Sequence, residues 1–278
     1  MNIKIICDTM SNIDMDFAKK HNVDMLPLRV LFNGEEYLDG IDIDSKEFTK
    51  MLKESDSMPM TAQVPMKFFL ESFTKYLEQG DIVLYIGGSS RASGTFQSAL
   101  ITAETIDNPN LYLVDSMNIA IGSGALIYKA VELVEEGLDI TDVINKLESY
   151  KKDIFLEFTV STLEYLKKGG RISFTKATVG TILNINPIIG IHNGLPKSIE
   201  HIRGNKKIFN KMVNNAVNNY NGGKILILYG ENIEEGLKFK QALKEKLNIL
   251  DDLIEFIYVG IGIASHTGPY GYGVAFIK

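Results

Sequence analysis

Hydroxyl groups and glycines cluster directly after one apolar run of this chain, in a pattern that could bind a small anion. The segment from Asp81 to Leu100 reads D-I-V-L-Y-I-G-G-S-S-R-A-S-G-T-F-Q-S-A-L. Its apolar run predicts a strand buried on both faces, and the residues after Thr95 follow helical spacing. In an open α/β sheet such a turn lies where ligands bind, and free backbone N–H groups at the helix start favour an anion. Ser93 therefore either donates a hydrogen bond to a ligand or merely caps the helix.

The turn lacks the features of known catalytic loops. Gly88 and Gly94 are too far apart for a Walker loop, and its lysine is missing. The residues from Gly87 also do not match the G-x-S-x-G nucleophile elbow of α/β hydrolases, because Arg91 stands in place of its last glycine. We therefore interpret the hydroxyl groups as hydrogen-bond donors, and a small anion is the expected ligand.

Two further polar residues could reach the same ligand. Thr61 lies in a polar linker before a helix that begins near Pro65, and it is either a turn residue or a second hydroxyl close to Ser93. His266 stands among small residues and glycines, which predicts a loop that approaches other parts of the chain closely. Because no carboxylate lies near Ser93 in the sequence, we interpret His266 as a donor to an anion and not as a general base.

Metal and dinucleotide sites are not expected. Asp39, Asp42 and Asp44 suggest a cation loop, but a lysine stands where calcium loops need a further oxygen ligand, and Asp44 fits a helix cap better. The sequence has neither the HExxH pair nor the cysteine cluster of a zinc site. Gly122 and Gly124 resemble part of a dinucleotide fingerprint that lacks its third glycine, so they predict close helix packing or room for a ligand.

Composition limits the class of protein. With 29 Lys and Arg against 35 Asp and Glu, the chain has no electrostatic footprint for nucleic acid or an anionic membrane surface. Cys7 is the single cysteine and lies in an apolar run, so it is expected in the core. Because no apolar run approaches a membrane span and the first residues lead directly into a strand, we expect a cytoplasmic protein.

Alternating strand and helix patterns predict an α/β fold of two domains. Residues 1–153 read as strands separated by helices, which predicts a mainly parallel sheet, with Met25 to Phe32 as one of its strands. Residues 154–278 contain an antiparallel hairpin at Asn193-Gly194 and further strand and helix patterns, which predict a mixed sheet. The expected fold therefore has an N-terminal domain with the hydroxyl-rich turn and a C-terminal domain with the hairpin and the His266 loop.

A series of short segments, each weak alone, occurs in an order that is specific when taken together. The segments are Tyr37-Leu-Asp-Gly, Thr61-Ala-Gln-Val-Pro, Ser89-Ser-x-x-Ser-Gly-Thr-Phe-Gln-Ser-Ala99, Asp115-Ser116, Leu166-Lys-Lys-Gly-Gly-Arg-Ile-Ser173, Arg203-Gly204 and His266-Thr-Gly-Pro. In these segments, and over its whole length, the chain resembles the DegV family, which includes the fatty-acid-binding subunits of bacterial fatty acid kinases.

The resemblance implies a two-domain α/β protein that holds a long-chain fatty acid between its domains. The tail would lie in an apolar tunnel, and the carboxylate would be hydrogen-bonded by Thr61, Ser93 and His266. The supporting residues around the turn would be Ala62, Gly94 and Thr95. The family usually has serine after the linker threonine, so with Ala62 one hydroxyl contact is missing.

The resemblance also implies a carrier without catalytic residues of its own. A separate kinase would phosphorylate the bound acid to an acyl phosphate, with Arg171 and Arg203 near the tunnel entrance or on the surface that faces the kinase. The expected partners are the fatty acid, this kinase and a transient membrane contact for ligand exchange, with no cofactor and a monomeric chain. Two alternatives stay open: an acyl hydrolase or transferase that uses Ser93 and His266, and a lipid-sensing regulator.

Overall fold

The computed structural model describes residues 2–170 and 185–278, whose two main sheets form an α/β fold. In chain order the strands are β1 Ile3–Asp8, β2 Asp24–Leu26, β3 Arg29–Phe32, β4 Glu35–Leu38, β5 Met60–Ala62, β6 Ile82–Gly87, β7 Leu111–Asp115, β8 Ile154–Val160, β9 Ile185–His192, β10 Leu195–Arg203, β11 Ile225–Tyr229, β12 Ile254–Tyr258 and β13 Gly271–Ile277. The α-helices are α1 Met15–Lys20, α2 Ser45–Glu54, α3 Met66–Glu78, α4 Thr95–Ile106, α5 Ala120–Glu135, α6 Ile140–Tyr150, α7 Glu164–Lys168, α8 Asn205–Asn219, α9 Ile233–Leu247 and α10 Ile261–Thr267.

The N-terminal sheet is parallel throughout, in the strand order β2-β1-β6-β7. Its central strand β6 is buried on both faces, as the apolar run predicted. Val83 and Tyr85 pack among the apolar side chains of α3 and α4. Leu84 and Ile86 pack on the opposite face, in the apolar cluster that contains α5. The hydroxyl-rich turn therefore follows a strand that is fixed from both sides.

The strand predicted from Met25 to Phe32 is two strands that belong to different sheets. Strand β2 pairs with β1 in the parallel sheet, whereas β3 pairs antiparallel with β4 and β5 in a small second sheet. The break falls at Pro27, which has no N–H for a ladder hydrogen bond. The hairpin turn at Asn33 and Gly34 is confirmed, with φ values of 53° and 86°.

The C-terminal sheet is mixed, as predicted. Its strand order within the described ranges is β10-β9-β8-β13-β11-β12, and β11 with β12 is the parallel pair of that order. The hairpin at Asn193 and Gly194 joins β9 to β10, and both of these residues have positive φ. The mixed pairing distinguishes this half from the parallel N-terminal sheet.

Helix α5 is buried between the two sheets. Its side chains join β1 and β6 to strands β8, β11 and β13 in one apolar cluster. Gly124 allows this approach, because a Cβ there would lie 2.9 Å from the Ser11 carbonyl oxygen and 3.4 Å from Leu226 Cδ1. The small residues predicted to permit close helix packing therefore do so. Since one core includes both halves, the domain boundary at residue 153 stays a prediction.

Within residues 2–170 and 185–278, the helices are too short or too polar for any of them to cross a lipid bilayer.

Glu157 is a buried carboxylate at the centre of the C-terminal sheet. It lies on β8, is 5% exposed and faces α8, where the Asn215 amide donates hydrogen bonds of 3.0 and 3.2 Å to its two oxygens. Burial raises the pKa of Glu157 to about 7, and the Asn215 hydrogen bonds oppose this shift only in part. The folded protein therefore binds this proton more tightly than the unfolded chain does.

Glu157→Gln is expected to flatten the pH dependence of stability. The Glu157 contribution to the free energy of unfolding is full below the unfolded pKa and falls as the pH rises towards 7, by about 3 kcal/mol in all. Urea unfolding between about pH 5 and about pH 7.5 measures this slope. Glu104→Gln, an exposed substitution on α4, is the control. A slope in Glu157→Gln equal to that of the wild type would contradict the assignment.

Candidate functional site

The hydroxyl-rich turn is held in place by one backbone hydrogen bond to the connection after β7 and one within the turn. Ser89 N donates to the Asn118 carbonyl oxygen at 2.7 Å, and Ser93 N donates to the Ser89 carbonyl oxygen at 3.1 Å. A Cβ at Gly88 would overlap the methyl group of Met10, which lies in the turn after β1. The Met10 methyl group therefore packs directly on Gly88, and the two turns lie against each other at this sheet edge.

Ser93 is bonded to the start of α4 and also lines a cavity. Its hydroxyl donates to Thr95 Oγ1 at 3.0 Å and accepts from Thr95 N at 3.2 Å. Thr95 is fully buried and also accepts from Val64 N at 3.4 Å. Thr95 thus ties the segment that follows Thr61 to the Ser93 turn.

Thr61 lies in a strand, which corrects the predicted linker. It pairs with Val30 of β3, because the segment forms the third strand of the small antiparallel sheet. The alternation of the strand leaves Thr61 partly buried between more exposed neighbours. Its hydroxyl therefore has a fixed direction, which a turn residue in a linker would lack.

His266 lies in the last turn of helix α10, so the prediction of a loop was wrong. The glycines that suggested a loop serve a close approach: a Cβ at Gly262 would lie 2.8 Å from Leu28 Cδ1. Helix α10 ends at Thr267 and is capped by Gly268, whose φ is 78°. His266 Nε2 lies 2.9 Å from Thr61 Oγ1, and the two groups are hydrogen-bonded. This bond joins the C-terminal helix to the small N-terminal sheet.

One cavity of about 220 Å³ brings the predicted residues together. Its polar lining includes Thr61, Ser93 and His266, with Ala62 and Gly94 beside them. The apolar lining comes from both halves of the chain: Met10, Leu28, Ile119, Phe158, Leu166, Pro196 and Ile263. A hydroxyl pair and an imidazole in such surroundings can bind one small polar or anionic head group attached to an apolar body.

The structure describes one of the two predicted arginines. Arg203 is exposed at the end of β10, outside the set of residues that line the cavity. Arg171 lies outside the described residues. Their predicted roles at an entrance or towards a kinase therefore stay predictions.

Several cavity residues were not predicted from the sequence. Gln63, Phe158 and Leu166 line the cavity, and Gln63 lies against Gly94. The sequence predicted a strand at β8, but not which face of it would meet the N-terminal half. Helix α7 gave too short a pattern to show that Leu166 points inwards.

Two buried carboxylates lie close to the site. The Asp8 side chain accepts from the Tyr85 hydroxyl at 2.6 Å and from Met10 N at 2.9 Å, and burial raises its pKa. Burial also raises the pKa of Asp39 to about 6, against hydrogen bonds from the Thr9 hydroxyl and from α10. Among the residues that the structure describes, no group of three His, Cys, Asp or Glu side chains is placed to hold a metal ion.

A larger groove of about 1000 Å³ lies on another side of the molecule, beside α1 and α5. Its charged side chains are largely engaged with each other, as in Lys224–Glu255 at 2.7 Å and Lys129–Glu132 at 3.0 Å. Because it is open and lined by ion pairs, it lacks the convergent donors of the smaller cavity. The cavity around Ser93 is therefore the candidate site.

Comparison with known proteins identifies the family. The model of the DegV family, described as uncharacterised proteins, matches residues 2–278. The chain belongs to the DegV family. A DegV domain-containing protein of Caldanaerobacter subterraneus subsp. tengcongensis is 32% identical over 99% of this chain and 98% of its own. Protein DegV of Bacillus subtilis is 30% identical over 99% of this chain and 98% of its own.

Solved structures of similar proteins share the fold and are described by what they bind. A fatty-acid-binding DegV family protein from Thermus thermophilus has a TM-score of 0.92 at 30% identity, with 100% of both chains covered. A stearic-acid-binding protein from Eubacterium ventriosum has a TM-score of 0.90 at 29% identity, covering 100% of this chain and 98% of that one. The two-sheet α/β architecture described above is therefore that of fatty-acid-binding DegV proteins.

Thr95→Val is expected to loosen the site, because Val64 N and the Ser93 hydroxyl lose their common acceptor. The free energy of unfolding should fall by about 1–3 kcal/mol. Amide hydrogen exchange at Val64 should also become faster. Thr105→Val on the same helix is the control, since its exposed hydroxyl bonds only back to Ile101 O in the described hydrogen bonds. Equal effects of the two substitutions on Val64 exchange would contradict the bridging role of Thr95.

Proposed function

We propose that this protein binds a long-chain fatty acid in the cavity between its two halves. The observation that carries the proposal is the meeting of Thr61, Ser93 and His266 in a cavity with a largely apolar lining. The fatty-acid-binding descriptions of similar DegV structures support the same ligand class. The carboxylate would lie among the three polar groups and the tail along the apolar lining.

The three polar groups suit a carboxylate that is removed from water. A buried carboxylate without hydrogen-bond donors is costly, and two hydroxyls with one imidazole supply donors without placing a fixed opposing charge there. The Ser93 hydroxyl, which donates to Thr95 Oγ1, can rotate towards the carboxylate while still accepting from Thr95 N. Ala62 adds no hydroxyl, so the donors in this proposal are the Ser93 hydroxyl and the Thr61–His266 pair, whose mutual hydrogen bond uses one of its two hydrogens.

The tail supplies most of the affinity. Each buried methylene contributes about 0.8 kcal/mol, so a tail of about 16 carbons gains about 12 kcal/mol before ordering costs. The cavity of about 220 Å³ is smaller than typical small-molecule sites of roughly 300–1,000 Å³. A long tail therefore displaces flexible lining side chains such as Met10, whose thioether adapts at low cost. The polar groups then fix the position of the carboxylate.

The protein would present the bound acid to a separate kinase. The sequence contains neither a Walker loop nor the glycine-rich loop of protein kinases. A carboxylate oxygen held by neutral groups can attack the terminal phosphorus of ATP on a second protein, which yields an acyl phosphate and ADP. Arg203, which is exposed, and Arg171 would contribute to the surface that meets the kinase.

The geometry does not favour a hydrolase that uses Ser93 as the nucleophile. His266 Nε2 is hydrogen-bonded to Thr61, and the Ser93 hydroxyl is hydrogen-bonded to Thr95. A serine nucleophile needs its base within hydrogen-bond reach of its own hydroxyl. We therefore propose a carrier, and propose further that it is a cytoplasmic monomer that contacts the membrane transiently for ligand exchange.

Denaturing extraction of the purified protein, followed by mass spectrometry, should release a long-chain fatty acid in close to equimolar amount. The buried tail accounts for retention of the ligand through purification. Stripped protein should bind added palmitate again. An extract without lipid, from a protein that also fails to bind added fatty acid, would exclude the carrier function.

Ser93→Ala should weaken palmitate binding by about tenfold, because one hydrogen bond to a charged group is lost. Binding of methyl palmitate should change little, since its head group carries no charge. Ser149→Ala, at an exposed serine of α6, is the control and should bind both ligands as the wild type does. Hydrolysis of acyl esters by the isolated wild type, abolished in Ser93→Ala, would instead establish the hydrolase.

A further inference from the structure

Helix α10 has seven residues, and its N-terminal end is held by side chains from the N-terminal half. An isolated helix of this length is unstable in water, so its position depends on outside contacts. Asn12 Oδ1 accepts from Gly260 N at 2.7 Å, and Asn12 Nδ2 donates to the Tyr258 carbonyl oxygen at 3.0 Å. Asp39 Oδ2 accepts from Gly262 N at 3.3 Å.

Asp39 joins α10 to two other elements. Its carboxylate is 5% exposed and accepts from Gly262 N at 3.3 Å, and the Thr9 hydroxyl and the Ile261 N–H are close enough to lower its pKa. Thr9 Oγ1 in turn accepts from Leu28 N at 3.0 Å. The carboxylate therefore connects the turn after β1 and the segment before β3 with the first turn of α10.

The first turn of α10 packs closely on Asp39 and Leu28 at Gly262. A Cβ at this position would lie 3.4 Å from Asp39 Oδ2 and 2.8 Å from Leu28 Cδ1. His266 follows Gly262 by four residues, which is about one helical turn, so the two positions lie on the same side of α10. A shift of the N-terminal end of the helix would consequently move the His266 imidazole away from Thr61.

We infer that Asp39 is a positioning residue of the carboxylate site and acts through α10 on His266. This inference rests on the proposed fatty acid binding. Asp39 keeps the helix where His266 Nε2 and Thr61 Oγ1 are 2.9 Å apart, so that both groups face one carboxylate. In Asp39→Asn the side chain keeps its shape but loses one acceptor oxygen and the negative charge that favours the N-terminal end of the helix. The amide therefore does not replace the carboxylate.

A double-mutant cycle with two ligands tests the inference. Asp39→Asn and His266→Ala should each weaken palmitate binding by about tenfold. The double variant should be no weaker than His266→Ala, because Asp39 acts through the imidazole. Methyl palmitate binding should stay within about twofold of the wild type in Asp39→Asn. Asp44→Asn, which changes the exposed N-cap carboxylate of α2, is the matched control and should bind palmitate as the wild type does.

Additive losses, or equal losses for palmitate and methyl palmitate, would show a general loosening of the fold and overturn the inference. Thr9→Val provides a second route if Asp39→Asn folds poorly, since it removes one donor to the carboxylate. Thr9→Val should also weaken palmitate binding, but by less than Asp39→Asn does. Unchanged palmitate binding in folded Thr9→Val and Asp39→Asn would also overturn the inference.

A ligand-free measurement separates this inference from the proposed function. The ring resonances of His266, assigned by their loss in His266→Ala, should shift in Asp39→Asn and stay unchanged in Asp44→Asn. Unchanged His266 resonances in Asp39→Asn would overturn the positioning role even if palmitate binds. A wild type that binds no palmitate, with shifted resonances in Asp39→Asn, would instead remove the proposed function and leave the coupling of Asp39 to His266 established.

Discussion

Burial of helix α5 on two sides is the constraint on which the site depends. The helix packs against β1 and β6 of the parallel sheet and against β8, β11 and β13 of the mixed sheet. Because a single apolar core includes both sheets, their separation is set by the side chains of α5 and by the missing Cβ of Gly124. Ile119, directly before α5, and Phe158 of β8 then line the cavity. The cavity is thus a gap that the packing of α5 leaves between the two sheets.

Polar contacts across this gap have a different role from the apolar core. Asn12, Asp39 and Thr61 each bond to the segment that contains α10. Such buried hydrogen bonds add little net stability, but leaving one unsatisfied is costly, so they select one arrangement of the helix. In the proposed complex the tail supplies affinity through burial, and these directional contacts decide where the carboxylate lies.

The sequence indicated the parts of the site that depend on local patterns. The apolar run before Gly87 predicted a doubly buried strand, and the hydroxyls after it predicted a turn at the sheet edge, where Ser93 is found. The two Asn-Gly turns predicted their hairpins, because positive φ at both residues suits few other pairs. Local chemistry was sufficient for these features.

The remaining features depend on contacts between distant residues. Thr61 became a strand residue because β3 was available for pairing, and α10 became helical because Asp39 and Asn12 satisfy its first N–H groups. In the sequence, the spacing of Asp39, Asp42 and Asp44 resembled a cation loop. The hydrogen-bond partner of Asp39, Gly262, is 223 residues away and is not visible from that spacing. The partners of Thr61 and of Asp39 could not be placed from spacing alone, because no local pattern connects positions so far apart.

The central claim is that Thr61, Ser93 and His266 together hold the carboxylate of a fatty acid. The most direct measurement is the NMR spectrum of bound palmitate that is isotopically labelled at its carboxyl carbon, in wild-type protein and in Thr61→Val. The account predicts one bound carboxyl resonance that differs from palmitate in vesicles and shifts in Thr61→Val, which lacks the donor paired with His266. A bound resonance identical in both proteins would contradict the placement of the carboxylate among these three residues.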